Sequence, residues 1–342
     1  MIKGLIVFGL LVTLVALGAA GADRTHMKAA VLSAFHYAQG YWREVAGAGD
    51  ALGAKEIQGE AGLLMDEKTG KILFDKNENR RLYPASTTKI VTALVALEKA
   101  EPNERVTVGD EVDLRTADES TAGLKKGQKL SLRDLLSAML LPSGNDAART
   151  VARYIASKET GRSLSAEESI RYFASLMNDK AAQLGAVSSH FVNPHGLHDP
   201  QHYTTARDLA VIARAAMGVP EFRSIVSEAE HTVSSSSARL VLANRNKLLQ
   251  AGSDYYMRGA NGIKTGFTDE AGYCLVASAS RGGRELIAVV LKSTENDVWL
   301  DSQKLLEYGF AGQPSGKRAA AAAGRGPEAV EAPSDKKEGV PG

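Results

Sequence analysis

The sequence predicts an α/β domain in which an antiparallel sheet is flanked by helices and carries a helical subdomain. Two observations lead there: strand signals cluster at the two ends of the domain, and helical periodicity fills the stretch between them. Residues 61–76 read as a hairpin, with apolar runs GLLM and KILF around the turn Asp66-Glu67-Lys68-Thr69-Gly70. After Pro84, Ile90, Leu94 and Leu97 recur at helical spacing and predict a helix from Ser86 to Lys99. Further helices are expected at 132–140, 145–157, 165–184 and 205–217. Strands follow at 261–266, 271–280 and 285–292, the last two joined by a turn at Gly282-Gly283. A helix over about 297–309 closes the domain. This order implies a sheet covered on both faces, with a mostly helical subdomain from about 105 to 215.

Composition narrows the setting. The 342 residues are 44% hydrophobic and 24% charged, an ordinary globular mix, and the net charge of +1 gives no general pull toward nucleic acid. Cys274 is the single cysteine, which excludes an internal disulfide and a cysteine-based metal cluster. Export is read from the N-terminus. Lys3 precedes an uncharged run over 4–22, dense in apolar residues from Leu5 to Leu17, and Ala20-Gly21-Ala22 has the small-x-small pattern of a cleavage site. Residues 1–22 are therefore expected to be a signal peptide or an N-terminal membrane anchor, with the rest outside the cytoplasm. Residues 23–56 read as a helical spacer, 57–315 as the folded domain, and 316–342 as a disordered tail rich in Ala, Gly, Pro and charge.

Three short motifs carry chemistry: Ser86-Thr87-Thr88-Lys89, Ser143-Gly144-Asn145 and Lys264-Thr265-Gly266. Each is weak alone, because Ser334-Asp335-Lys336-Lys337 and Lys68-Thr69-Gly70 repeat two of the patterns in a charged tail and a turn. Ser86 differs by standing where a helix begins, with Lys89 one turn on and on the same face. A serine needs a base, and a lysine becomes one when burial or a second cation lowers its pKa; Lys264 is the natural second cation. Gly266 removes a side chain where a substrate backbone could lie along a strand edge.

The motifs in this order match those of serine β-lactamases and penicillin-binding proteins. The flanking text, including YPASTTKIVTALVALE, LLPSGNDAA, FVNPHGLHD and NGIKTGFTDEAGYCLVASA, resembles the serine-type D-alanyl-D-alanine carboxypeptidase family over roughly residues 60–312. That resemblance implies a β-lactamase/transpeptidase-like fold and roles by position. Ser86 would be the acylated nucleophile, Lys89 its general base, and Ser143 with Lys264 a proton relay. Asn145 would bind the substrate amide and Thr265 the terminal carboxylate. The backbone N–H groups of Ser86 and Phe267 would form the oxyanion hole beside Gly266. The implied substrates are peptidoglycan stem peptides ending in D-Ala-D-Ala, with β-lactams as covalent inhibitors and no metal or organic cofactor.

The sequence departs from the family pattern in three places. The chain becomes low-complexity after KLLEYGFAG, so membrane attachment would rest on the N-terminus or be absent. The stretch Ser293–Asp301 lacks an arginine that relatives often place there. Glu167 and Glu168 precede a helical run, without the setting of a β-lactamase deacylating glutamate. His195, His198, Asp199 and His202 offer a competing zinc reading, although their spacing fits no metallopeptidase signature. A β-lactam-acylated sensor and a D,D-endopeptidase are the remaining alternatives.

Overall fold

Strand alternation builds two cores on opposite faces of one sheet. The computed structural model describes residues 52–234 and 239–312, and the expected export segment, most of the spacer and the tail lie outside them. Strand β1 (Ala61–Asp66) sends Leu63 and Met65 into one core and Leu64 into the other. Strand β9 (Arg284–Ser293) does the same with Ile287, Val289 and Leu291 against Leu286, Ala288 and Val290. Side chains alternate along a strand, so a run apolar at every position is a strand covered on both faces.

The hairpin partner of β1 is β2 (Ile72–Lys76), and β7 (Ala260–Thr268) and β8 (Gly272–Arg281) complete the sheet. The order is β2-β1-β9-β8-β7, antiparallel throughout, which leaves β7 at an edge. Helix α1 (Lys89–Lys99) and the helices α2 (Leu132–Leu140), α3 (Asn145–Thr160) and α4 (Ala166–Gln183) gather on one side. Helix α5 (Ala206–Met217) packs on β1 and β9, so it belongs to the sheet layer. The helical subdomain thus stops short of the 215 expected from sequence. A further helix, α6 (Pro220–Ser227), starts with proline at its first position, where the missing N–H is no loss. Two small hairpins, β3 (Arg105–Thr107) with β4 (Lys129–Ser131) and β5 (Glu230–Ser234) with β6 (Arg239–Ala243), were not expected. The strands β3 and β4 are three residues long, too short to show a period.

Helix α7 (Asp297–Ala311) covers the second core with Val298, Trp299, Leu305 and Leu306. It approaches the sheet so closely that a Cβ at Gly309 would stand 2.6 Å from Leu286 Cδ1 and 2.9 Å from Leu64 Cδ2. Among the described residues no helix is long and apolar enough to cross a membrane. The close packing yields a direct test. Gly309→Val should lower stability by about 1–3 kcal/mol through overpacking, seen as a lower urea midpoint. A midpoint at or above that of the wild type would contradict this packing.

Candidate active site

Ser86 stands in a tight turn, not in the first turn of an α-helix as the sequence predicted. Residues Ala85–Thr88 form a 3-10 turn and the α-helix begins only at Lys89. Two local features cause this. Ala85 takes a left-handed backbone (φ 46°), a conformation costing an L-residue roughly 1–2 kcal/mol. The hydroxyls of Thr87 and Thr88 then donate back to the carbonyls of Pro84 and Ala85 at 2.7 and 2.8 Å, satisfying groups that a helix would otherwise leave open.

Lys89 is fully buried, and its Nζ has three close neighbours. Asn145 Oδ1 and the His195 carbonyl oxygen each lie 2.7 Å away, and Ser86 Oγ lies 2.8 Å away. Burial first, and then the charge of Lys264, hold the amine well below the ordinary lysine pKa. The two carbonyl oxygens can only accept, so the amine donates to both, with the Ser86 hydroxyl as its third neighbour.

The second motif folds around the same amine. Ser143 also has a left-handed backbone (φ 67°), and its hydroxyl has no hydrogen-bond partner among the described residues. Asn145 opens α3 with its N–H on the Ser120 carbonyl at 2.9 Å. Its neighbour Asp146 accepts from Thr121 Oγ1 and the N–H groups of Ala122 and Leu124 at 2.6, 2.9 and 2.9 Å. The buried pair Arg149–Glu119, bidentate at 2.5 and 2.7 Å, pins the start of that loop. Sequence reading singled out none of Glu119, Ser120 or Arg149, because a loop held by α3 has no periodic signal.

The third motif lies on edge strand β7. Lys264 is buried, with its Nζ on the Thr265 carbonyl at 3.0 Å, and burial and the charge of Arg245 push its pKa down to about 7. Arg245, also missed from sequence, donates to Ser120 Oγ at 2.6 Å and so ties β7's neighbourhood to the 120 loop. Gly266 has a reason different from the expected one. A Cβ there would stand 3.0 Å from both Pro84 O and Ser86 N and 3.1 Å from Thr87 N, so the glycine lets β7 close on the Ser86 turn. Phe267 follows, half-exposed, its ring 4.4 Å from that of Tyr273.

The histidine segment serves this centre as structure. Asn193 Oδ1 accepts from the N–H of Gly196 at 2.7 Å and shapes the loop that presents the His195 carbonyl. A Cβ on Gly196 would fall 1.9 Å from the Ala85 carbonyl oxygen, so only glycine fits against the turn. His202 Nδ1 accepts from the Val192 N–H at 3.1 Å, which puts the ring proton on Nε2, 2.8 Å from Thr88 Oγ1. Both its nitrogens are thus engaged, and His195 Nδ1 accepts from the Leu197 N–H at 3.2 Å. Among the described residues no group of three or more His, Cys, Asp or Glu stands together as a metal-ligand set. The second Lys-Thr-Gly, at 68–70, is the β1–β2 turn, with Lys68 Nζ on the Gly283 carbonyl at the far end of the sheet. Glu168 closes a capping box with Ser165 at the start of α4.

A sheet between helices, with Ser86 in the turn before α1, the Lys89 amine 2.8 Å from its hydroxyl and edge strand β7 against it, is the arrangement expected of the penicillin-binding serine peptidases. The model of the D-alanyl-D-alanine carboxypeptidase family matches residues 48–295, and the chain belongs to that family. It is 32% identical over 260 residues to DacF of Bacillus subtilis, covering 74% of this chain and 62% of that relative. It is 35% identical over 258 residues to DacB2 of Mycobacterium tuberculosis, covering 74% of this chain and 82% of the relative. The crystal structure of the Streptomyces K15 DD-transpeptidase superposes with a TM-score of 0.67 at 33% identity, covering 75% of this chain and 98% of that one.

The depressed lysine makes a pH prediction. Between about 7 and the ordinary 10.5, the unfolded chain holds a proton at residue 264 that the folded chain has released. Stability contributed there is therefore lowest below the folded pKa and rises with pH across that window. Urea unfolding of wild type and Lys264→Met over the window should show the difference growing in favour of the wild type. A flat or falling difference would contradict a buried, depressed Lys264.

Proposed function

We propose that this protein is a serine-type D-alanyl-D-alanine carboxypeptidase that trims peptidoglycan stem peptides through an acyl-enzyme. The observation that carries the reading is the buried Lys89 amine, 2.8 Å from Ser86 Oγ and 2.7 Å from both Asn145 Oδ1 and the His195 carbonyl oxygen. Ser86 gives its proton to Lys89 and attacks the carbonyl carbon between the two D-alanines. The oxyanion is held by the N–H groups of Ser86 and Phe267, each donor of this kind contributing about 3–4 kcal/mol to the transition state. Asn145 holds the substrate amide through Nδ2, which makes no hydrogen bond among the described residues. Thr265 takes the terminal carboxylate, with the positive field of Lys264 and Arg245 behind it. The partnerless Ser143 hydroxyl, with Lys264, passes the proton to the departing amine. Water then attacks the ester, with Lys89 again as base, and frees the shortened peptide.

Family membership supports the substrate class, and the reaction asks for no metal or organic cofactor. A cell-wall substrate places the domain outside the cytoplasm, delivered by residues 1–22 as signal peptide or anchor. β-Lactams inhibit covalently because their strained amide enters the same cleft and their leaving group stays tethered. Endopeptidase action attacks the same kind of bond and is separated by substrate, while a sensor is acylated without turnover.

Labelled penicillin should attach to the full chain and survive denaturation. Ser86→Ala should abolish the label, and Lys89→Ala should slow its appearance by ~10²-fold or more while the protein stays folded. The wild type should release D-alanine from a D-Ala-D-Ala peptide, with EDTA without effect. Labelling without release would support the sensor; release stopped by EDTA but not by Ser86→Ala would overturn the serine mechanism.

A further inference from the structure

The end of the sheet remote from Ser86 holds a cavity of about 360 Å³, within the range of small-ligand sites, roughly 300–1,000 Å³. Its apolar wall is Leu184, just past the end of α4, with Val211 and Ala215, which lie one turn apart on the same face of α5. Glu67, in the β1–β2 turn, and Arg214 of α5 supply the polar wall, and Gly218 completes the lining. Backbone contacts fix this frame. Arg214 Nε and Nη2 donate to the carbonyl oxygens of Glu67 and Lys68 at 2.7 and 2.9 Å, and the Glu67 N–H donates to the Glu285 carbonyl oxygen at 2.9 Å. A Cβ on Gly70 would stand 3.0 Å from Arg214 Nη1, so glycine lets the guanidinium lie against the turn.

Both polar groups are only half used. Glu67 is 8% exposed, yet its carboxylate has a single donor: Arg223 Nη2 binds Oε1, and nothing among the described residues binds Oε2. Arg223 is itself divided, with Nη1 3.7 Å from Glu285 Oε1. Burial outweighs this partner and holds the Glu67 carboxyl above the ordinary carboxylate pKa. A buried carboxylate oxygen without a donor is costly, and a donor carried in by a ligand removes that cost. Arg214 is the converse. Two of its nitrogens are spent on backbone carbonyls, Nη1 has no hydrogen-bond partner, and the side chain forms no ion pair among the described residues. A guanidinium already held by the backbone loses little freedom on taking an anion.

We propose that this cavity binds a free α-amino acid with an aliphatic side chain, its ammonium on Glu67 Oε2, its carboxylate on Arg214 Nη1 and its side chain against Leu184, Val211 and Ala215. The ligand chemistry follows from the walls. A carboxylate lacking a donor asks for a cation with N–H groups, and a guanidinium lacking an anion asks for a carboxylate. A zwitterion carries both on neighbouring atoms and answers both at once, whereas an amine or an acid alone leaves one charge of the site unmatched. The apolar wall selects against charged side chains, whose desolvation nothing there would offset. The site is separate from the Ser86 cleft and does not depend on the reaction proposed there.

Titration calorimetry on the full-length protein tests this with L-leucine and D-leucine, against isopentylamine, which lacks the carboxylate, and isocaproic acid, which lacks the ammonium. At least one leucine enantiomer should bind saturably to a single site. The amine and the acid should each bind at least about tenfold more weakly, the loss of one charge-assisted contact. Glu67→Gln and Arg214→Gln should each weaken leucine by at least about tenfold, and Val211→Trp should abolish binding by filling the cavity. Urea midpoints near the wild-type value show that these variants are folded. Glu67→Gln keeps the size of the side chain, so it serves if the bulkier variant fails to fold. Absence of saturable binding by either enantiomer overturns the site. So does binding of the amine or the acid as tight as that of leucine, or leucine binding that Glu67→Gln leaves unchanged.

Discussion

A buried lysine enclosed by two carbonyl acceptors and one hydroxyl is the constraint on which the rest of this structure depends. Charging an amine buried this fully is costly, and no carboxylate stands in hydrogen-bond contact with Lys89 among the described residues. Its N–H donors have to be matched by acceptors from the chain. One acceptor comes from the start of α3 and the other from the loop after α4, so the chemistry requires three distant parts of the chain to meet within hydrogen-bond distance. The ionic latch of Arg149 on Glu119 and the carboxylate of Asp146 keep α3 in register with the 120 loop. They work at a distance from the amine, but they fix where Asn145 stands.

Close approach is the second requirement. The Ser86 turn is sandwiched between β7 and the loop at 193–197, and each of these meets it through a glycine. The turn is therefore held by backbone packing on two sides, which explains how a residue with a left-handed backbone can persist just before the reactive hydroxyl. Thr88 and His202 brace it from beneath. This is rigidity built from local geometry, and it positions Ser86 Oγ before any substrate arrives.

Much of this was legible in the sequence, for identifiable reasons. Ile90, Leu94 and Leu97 showed the first helix, and the apolar runs of β8 and β9 with Gly282-Gly283 showed the central hairpin, because long elements repeat their period often enough to be seen. Ser86, Lys89, Asn145 and Lys264 were found through motif order, and the structure brings Ser86, Asn145 and the Lys89 amine together. The start of the helix was misread because Ala85 adopts a conformation that composition does not announce. His195 was read as a metal candidate because its side chain carries the chemical signal, whereas the centre uses its backbone carbonyl. Arg245 and the 120 loop were invisible for a related reason: their positions follow from tertiary contacts to β7 and α3, not from local pattern.

The edge position of β7 has a consequence for how such a protein can fail. An unpaired strand edge is a template for any extended chain, and most proteins blunt theirs with charge, proline or a covering loop. A cleft that reads extended peptides has to leave its edge available, so the covering here is partial and is given to the Ser86 turn itself, seated on Gly266. Loosening that turn uncovers a longer stretch of open strand in the same motion that disarms the serine. Damage to the reactive centre and self-association through the sheet are thus two outcomes of one displacement, and solubility becomes a property of the same few residues as catalysis.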